Sequence, residues 1–109
     1  MKNANVFVDV DLTLVDADGR LLDGVRESLE ALRARGCHLF LWSSVGMEYA
    51  RRTAERHNLV EFFEGFASKP DIIIDDMPKT ALPAFSYNVH EHESWPSMAK
   101  TILDRHVDR

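Results

Sequence analysis

Apolar and polar positions along the chain fall into short blocks whose period switches between strand alternation and helical spacing. Asn5 to Val10, reading Asn-Val-Phe-Val-Asp-Val, is β-branched and aromatic and predicts a buried first strand. From Asp23 the spacing turns helical: Val25, Leu29 and Leu32 recur on one face, Asp23 is the expected N-cap and Gly36 the stop. His38 to Trp42, bounded by Gly36 and by Ser43-Ser44, predicts a second strand, and a strand, helix, strand unit implies a parallel pair with a right-handed crossover. Met47 to Asn58 carries Arg, Ala and Glu without a breaker and predicts a second helix. A short strand is expected within Glu61 to Ala67. Asp71 to Asp75 reads as a third strong strand, with Ile72 to Ile74 apolar on both faces like a central parallel strand and Pro78 as its stop. Ala84 to Val89 fits an edge strand. Ser94 to His106 fits a closing helix, with Ser94 as cap, Pro96 in the first turn, and Met98, Ile102, Leu103 and His106 on the inner side.

Strands alternating with helices over short connections predict an α/β domain, and the 109 residues suit a single domain spanning 1–109. Hydrophobic residues make up 45% and charged residues 28%, enough apolar material for a core and no composition of a disordered chain. The balance of 13 basic against 18 acidic residues gives a net charge of −5, with no basic run longer than Arg51-Arg52, which disfavours nucleic acid as a partner. No apolar stretch approaches the roughly 20 residues that span a bilayer, so no membrane partner is expected. The first residues carry no signal-like apolar core, and a cytoplasmic location is the expectation. Cys37, the single cysteine, reads as a core residue.

Four features fall at the carboxyl ends of predicted strands, where an open parallel sheet exposes side chains for chemistry. In Asp9-Val10-Asp11-Leu12-Thr13, strand alternation sends two carboxyl groups to the same side as the strand ends. Ser43 follows the second strand, Lys69 precedes Pro70, and Asp75-Asp76 follow the three isoleucines. Clustered carboxylates need a counter-charge, which a lysine and a divalent cation supply. One or two carboxylates with waters and a substrate phosphate describe the usual Mg²⁺ environment.

In this order the residues resemble the four motifs of the haloacid dehalogenase (HAD) superfamily, with the match covering Asn5 to about Pro78. The resemblance implies a HAD-like, Rossmannoid three-layer sandwich with a mainly parallel sheet, the first motif on its central strand, helices on both faces and no cap domain. It further implies a Mg²⁺-dependent phosphomonoester hydrolase. Asp9 would be the nucleophile that becomes a phosphoaspartate, and Asp11 the general acid and then base. Thr13 would steady the loop, Ser43 and Ser44 would bind the phosphoryl group, and Lys69 would neutralise it. Mg²⁺ would lie between Asp9, Asp11 through its backbone carbonyl, Asp76 and Asp75. An acid at Asp11, where phosphoaspartate-preserving branches such as P-type ATPases carry Thr, favours hydrolysis over transport.

The interval from Lys69 to Asp75 leaves no room for the helix that usually precedes the last motif, and Leu12 to Asp23 holds only a small flap. An open site follows, which suits either a bulky phosphorylated substrate, small molecule or exposed phosphate on a larger one, or a homo-oligomer whose partner subunit supplies a lid. The alternatives are a non-catalytic module that holds Mg²⁺ and a phosphorylated ligand, and a receiver-like phosphoacceptor, whose motif order differs. Other features have plainer readings. His90 and His92 would share one side of a strand but lack a third ligand of zinc spacing. Arg51, Arg52 and Arg56 read as a solvated helix face. Trp42 and Trp95 read as packing residues, with Trp42 beside Ser43 at the border of a pocket.

Overall fold

The computed structural model describes residues 1–76 and 85–109. Three strands, β1 (Asn5–Asp9), β2 (His38–Ser43) and β3 (Gly65–Ser68), form one parallel sheet in the order β1-β2-β3. Phe7 stands opposite Phe40, Asp9 opposite Trp42, and Ser43 opposite Ser68. Helix α1 (Val25–Ala34) joins β1 to β2, α2 (Met47–Arg56) leads through a 3-10 turn at Val60–Phe62 to β3, and α3 (Trp95–His106) closes the chain. This is a small α/β arrangement with three parallel strands and three α-helices among the described residues.

Both crossovers step in the same direction across the sheet, so a common handedness places α1 and α2 on one face. The burial pattern agrees: Val8, Leu39, Leu41 and Ser43 are buried, whereas the alternate residues Phe7, Phe40 and Trp42 are only partly covered. Among the described residues the arrangement is thus one parallel sheet with α1 and α2 on one face. The other face carries an aromatic ladder, with Phe7 4.9 Å from the Phe40 ring and 4.9 Å from that of Trp42. Gly65 completes the ladder, because a Cβ there would lie 3.2 Å from the Phe40 ring.

The helix boundaries have local causes. Gly24, not Asp23, occupies the N-cap of α1 at φ 78°, without a side-chain cap. A Cβ on Gly24 would come within 2.5 Å of Pro96 Cδ, so the start of α1 accepts only glycine where α3 crosses it. Gly36 at φ 87° ends α1, with the Cys37 N–H bonded back to Leu32, and Ser94 caps α3 by accepting from the Ser97 N–H at 3.1 Å. Cys37 is buried, and burial raises its thiol pKa. Trp95 is buried, and Arg51, Arg52 and Arg56 are solvent-exposed, as the pattern predicts.

Two expectations about strands are overturned. Asp71 to Asp75 forms no strand: Ile72 is 82%, Ile73 57% and Ile74 97% exposed. The reason is connection length. A parallel neighbour needs a crossover of about a dozen residues, and only Lys69 and Pro70 separate the end of β3 from Asp71. Among the described residues no strand pairs with the outer side of β1, which is the first strand of the order β1-β2-β3. The expected Ala84 to Val89 strand begins outside the described residues. Its described part is not strand, and Val89–Glu91 is a 3-10 turn, so His90 and His92 do not share a strand face. Pro78 also lies outside the described residues.

Candidate functional site

The site grows from the last residue of β1. Beyond Asp9 the chain turns tightly: the Val10 carbonyl accepts from the N–H groups of Thr13, Leu14 and Val15 at 3.3, 2.9 and 3.2 Å. Leu12 takes φ 61°, a left-handed conformation unusual for a residue with a branched side chain. The turn brings the Thr13 hydroxyl back to donate to Asp9 Oδ2 at 3.2 Å. From the other side, Lys69 Nζ lies 3.2 Å from Asp9 Oδ1. Both carboxylate oxygens are thus engaged. The Asp9 and Lys69 side chains remain 32% and 38% exposed, so the ion pair faces the solvent and is open to a ligand.

Lys69 is held from its own backbone. It follows β3 directly, and its N–H donates to the Ser43 carbonyl at 3.0 Å, which ties the ends of β2 and β3 together. Its ammonium sits 5.8 Å over the Trp42 ring, and Trp42 is the residue opposite Asp9 in the sheet. Trp42 therefore borders the site. Lys69 approaches Asp9 from a loop, as its position before Pro70 requires.

The remaining expected residues divide. Asp11 is exposed and accepts a 2.5 Å hydrogen bond from the Tyr49 hydroxyl, which raises the phenol pKa above its ordinary value with burial adding to the effect. Ser43 is buried, and its hydroxyl oxygen accepts from the Val45 N–H at 3.0 Å, shaping its own loop. Ser44 is exposed beside it. Asp75 and Asp76 lie in the exposed segment after Lys69. Among the described residues no group of three or more His, Cys, Asp or Glu side chains is placed to hold a metal ion. The four candidate Mg²⁺ ligands, Asp9, Asp11, Asp75 and Asp76, are thus not assembled into one ion site within a single chain. As placed, they do not fit the metal.

Three residues of this neighbourhood are not assigned to it by the sequence, which reads His90 only against a zinc site and Trp95 only as packing. Tyr49 is the third residue of α2, and only the register of that helix against β2 brings it to Asp11. His90 Nε2 donates to the Leu12 carbonyl at 2.6 Å, and the Trp95 indole N–H donates to the Thr13 carbonyl at 2.8 Å. The carboxyl-terminal part of the chain thus braces the strained turn that carries both acids. A groove of about 550 Å³ runs along β1, lined by Asn5 to Asp9 on one side and by Trp95, Met98 and Ile102 on the other, and it ends at Asp9, Thr13 and Lys69. Compared with models of known protein families, with curated proteins and with solved structures, the chain finds no match in any of the three. No helix among the described residues is long and apolar enough to cross a membrane.

Proposed function

We propose that the chain is a HAD-like phosphomonoester hydrolase working through a phosphoaspartate on Asp9. The observation that carries this reading is the solvent-facing Lys69–Asp9–Thr13 array at the carboxyl end of a parallel sheet, with a second acid two residues on. A phosphate dianion approaching Asp9 meets Lys69, which offsets charge on the phosphoryl oxygens as they pass the carboxylate. One Asp9 oxygen forms the bond to phosphorus while the ester oxygen leaves. Protonated Asp11 gives the leaving oxygen its proton, and the resulting carboxylate then takes a proton from the water that attacks the phosphoaspartate, releasing phosphate and restoring Asp9. Thr13 fixes the Asp9 rotamer and Tyr49 fixes that of Asp11, so each acid is oriented before substrate arrives.

Magnesium would offset the charge of the two carboxylates in this reading, and the third carboxylate it would need is not assembled beside them within one chain among the described residues. The test is phosphate release from p-nitrophenyl phosphate and a panel of phosphomonoesters, with and without Mg²⁺, in wild type and Asp9→Asn. Turnover that disappears in Asp9→Asn supports the reading. Turnover retained in Asp9→Asn removes Asp9 as nucleophile, and phosphate binding without turnover favours a non-catalytic module that holds a phosphorylated ligand.

A further inference from the structure

Among the described residues two apolar surfaces are paired with no strand, residues 72–74 and the outer edge of β1. Residues 72–74 are three consecutive β-branched side chains exposed to water, Ile72 and Ile74 most of all, a costly arrangement for apolar area of this size. β1 ends the sheet, and the whole strand, Asn5 to Asp9, lines an apolar groove rather than pairing with a further strand. Proteins protect such edges with charge, proline or a bulge; the central residues of this one are Val6, Phe7 and Val8. Within one chain the two surfaces cannot meet as parallel neighbours, since only three residues, Lys69, Pro70 and Asp71, link β3 to the isoleucines.

From these facts we infer that the chain forms a reciprocal dimer in which residues 72–76 of each copy add as a fourth, parallel strand to β1 of the other, completing the site in trans. A link too short to cross back over its own sheet is no obstacle to reaching a neighbouring molecule. One register buries the most exposed isoleucines. With Asp75 opposite Asp9, Ile72 and Ile74 pair with Val6 and Val8 on the helix-covered face, and Ile73 pairs with Phe7 on the open face. The two most exposed isoleucines in the single chain are then the two that become most deeply buried. The same register sets Asp75 beside Asp9, and Asp76 at the turn that carries Asp11. Each site then has the third carboxylate that a single chain does not assemble, so the partner copy supplies part of the site.

The interface is tested apart from the chemistry. Sedimentation equilibrium should give a dimer for wild type and a folded monomer for Ile72→Ser/Ile74→Ser, whose changes fall on exposed positions and leave the single chain's core intact. A wild-type monomer at all concentrations, or a dimer indifferent to the double substitution, overturns the inference. The second arm rests on the hydrolase reading. Asp9→Asn and Asp75→Asn/Asp76→Asn should each be inactive alone, and an equilibrated equal mixture should recover about one quarter of wild-type activity, because half of the dimers are mixed and each holds one intact site. No recovery, or full activity in Asp75→Asn/Asp76→Asn, overturns the shared site. A wild-type dimer with no phosphatase activity that Ile72→Ser/Ile74→Ser dissociates would refute the hydrolase while supporting the interface.

Discussion

Tyr49→Phe isolates one hydrogen bond at the site and leaves the ring that packs against the core in place. The bond removed is the 2.5 Å contact from the phenol to Asp11 Oδ1. With Asp11 protonated, as the proton transfer requires, the bond joins two neutral groups and is worth about 0.5–1.5 kcal/mol. Asp11 is exposed and Tyr49 half-buried, so solvent keeps the figure to about 1 kcal/mol, or about fivefold in rate. If Asp11 donates a proton to the leaving oxygen, kcat/KM for an alkyl phosphate should fall about fivefold in Tyr49→Phe. For p-nitrophenyl phosphate it should barely change, since nitrophenolate departs without a proton. Asp11→Ala should lower kcat/KM for the alkyl ester by about 10²–10⁴-fold, the usual worth of a positioned acid. The decisive comparison is the double variant. With Asp11 gone the phenol has nothing to orient, so Tyr49→Phe should add no further loss in the Asp11→Ala background. A fivefold loss that persists in that background, or equal losses on both esters, would refute the idea that Tyr49 acts through Asp11.

Three further outcomes follow from the geometry. Gly24→Ala should destabilise the fold by about 2–4 kcal/mol, combining left-handed strain with the clash against Pro96, whereas Gly36→Ala, equally left-handed but meeting only Asn3 Oδ1 at an ordinary 3.8 Å, should cost about 1–2 kcal/mol; urea denaturation of both separates the two effects. Trp95→Phe removes the indole bond to the Thr13 carbonyl, so a loss of about 1–3 kcal/mol in stability should come with a drop in kcat as the acid-bearing turn loosens. The Tyr49 phenol has a raised pKa in the folded state, so its stabilising contribution is fully present below its ordinary value of 10.0 and is lost as pH climbs through the shifted one. Between about pH 9 and 11, urea midpoints should therefore decline more steeply for wild type than for Tyr49→Phe.

What could be read from the sequence was whatever a local signal determines. The β-branched run at Asn5, the apolar spacing of Val25, Leu29 and Leu32, and the Ser94 cap each specify an element without reference to the rest of the chain, and each forms where expected. Asp9, Thr13 and Lys69 were legible for a related reason: strand ends are where a parallel sheet exposes side chains, and the turn after β1 returns Thr13 to Asp9 over four residues. Contacts set by how distant elements pack were not legible. Tyr49 reaches Asp11 across 38 residues, and His90 and Trp95 reach the turn from about 80 residues away, with no spacing rule to announce them.

The isoleucine run shows where a local signal can mislead. Composition says strand, and says nothing of which strand lies beside it or whether the chain is long enough to reach it. Residues 71–75 have the propensity, β1 has an edge that no described strand pairs with, and Pro70 with Lys69 gives too short a link for a parallel pairing within one molecule. Propensity and topology conflict only as long as the count of molecules is one. A second copy satisfies both at once, since a strand donated across a two-fold axis needs no crossover and brings its carboxyl-terminal acids to the same end of the sheet as Asp9. The unpaired isoleucines, the open edge of β1 among the described residues and the divided set of carboxylates then share one cause, the brevity of the link after β3.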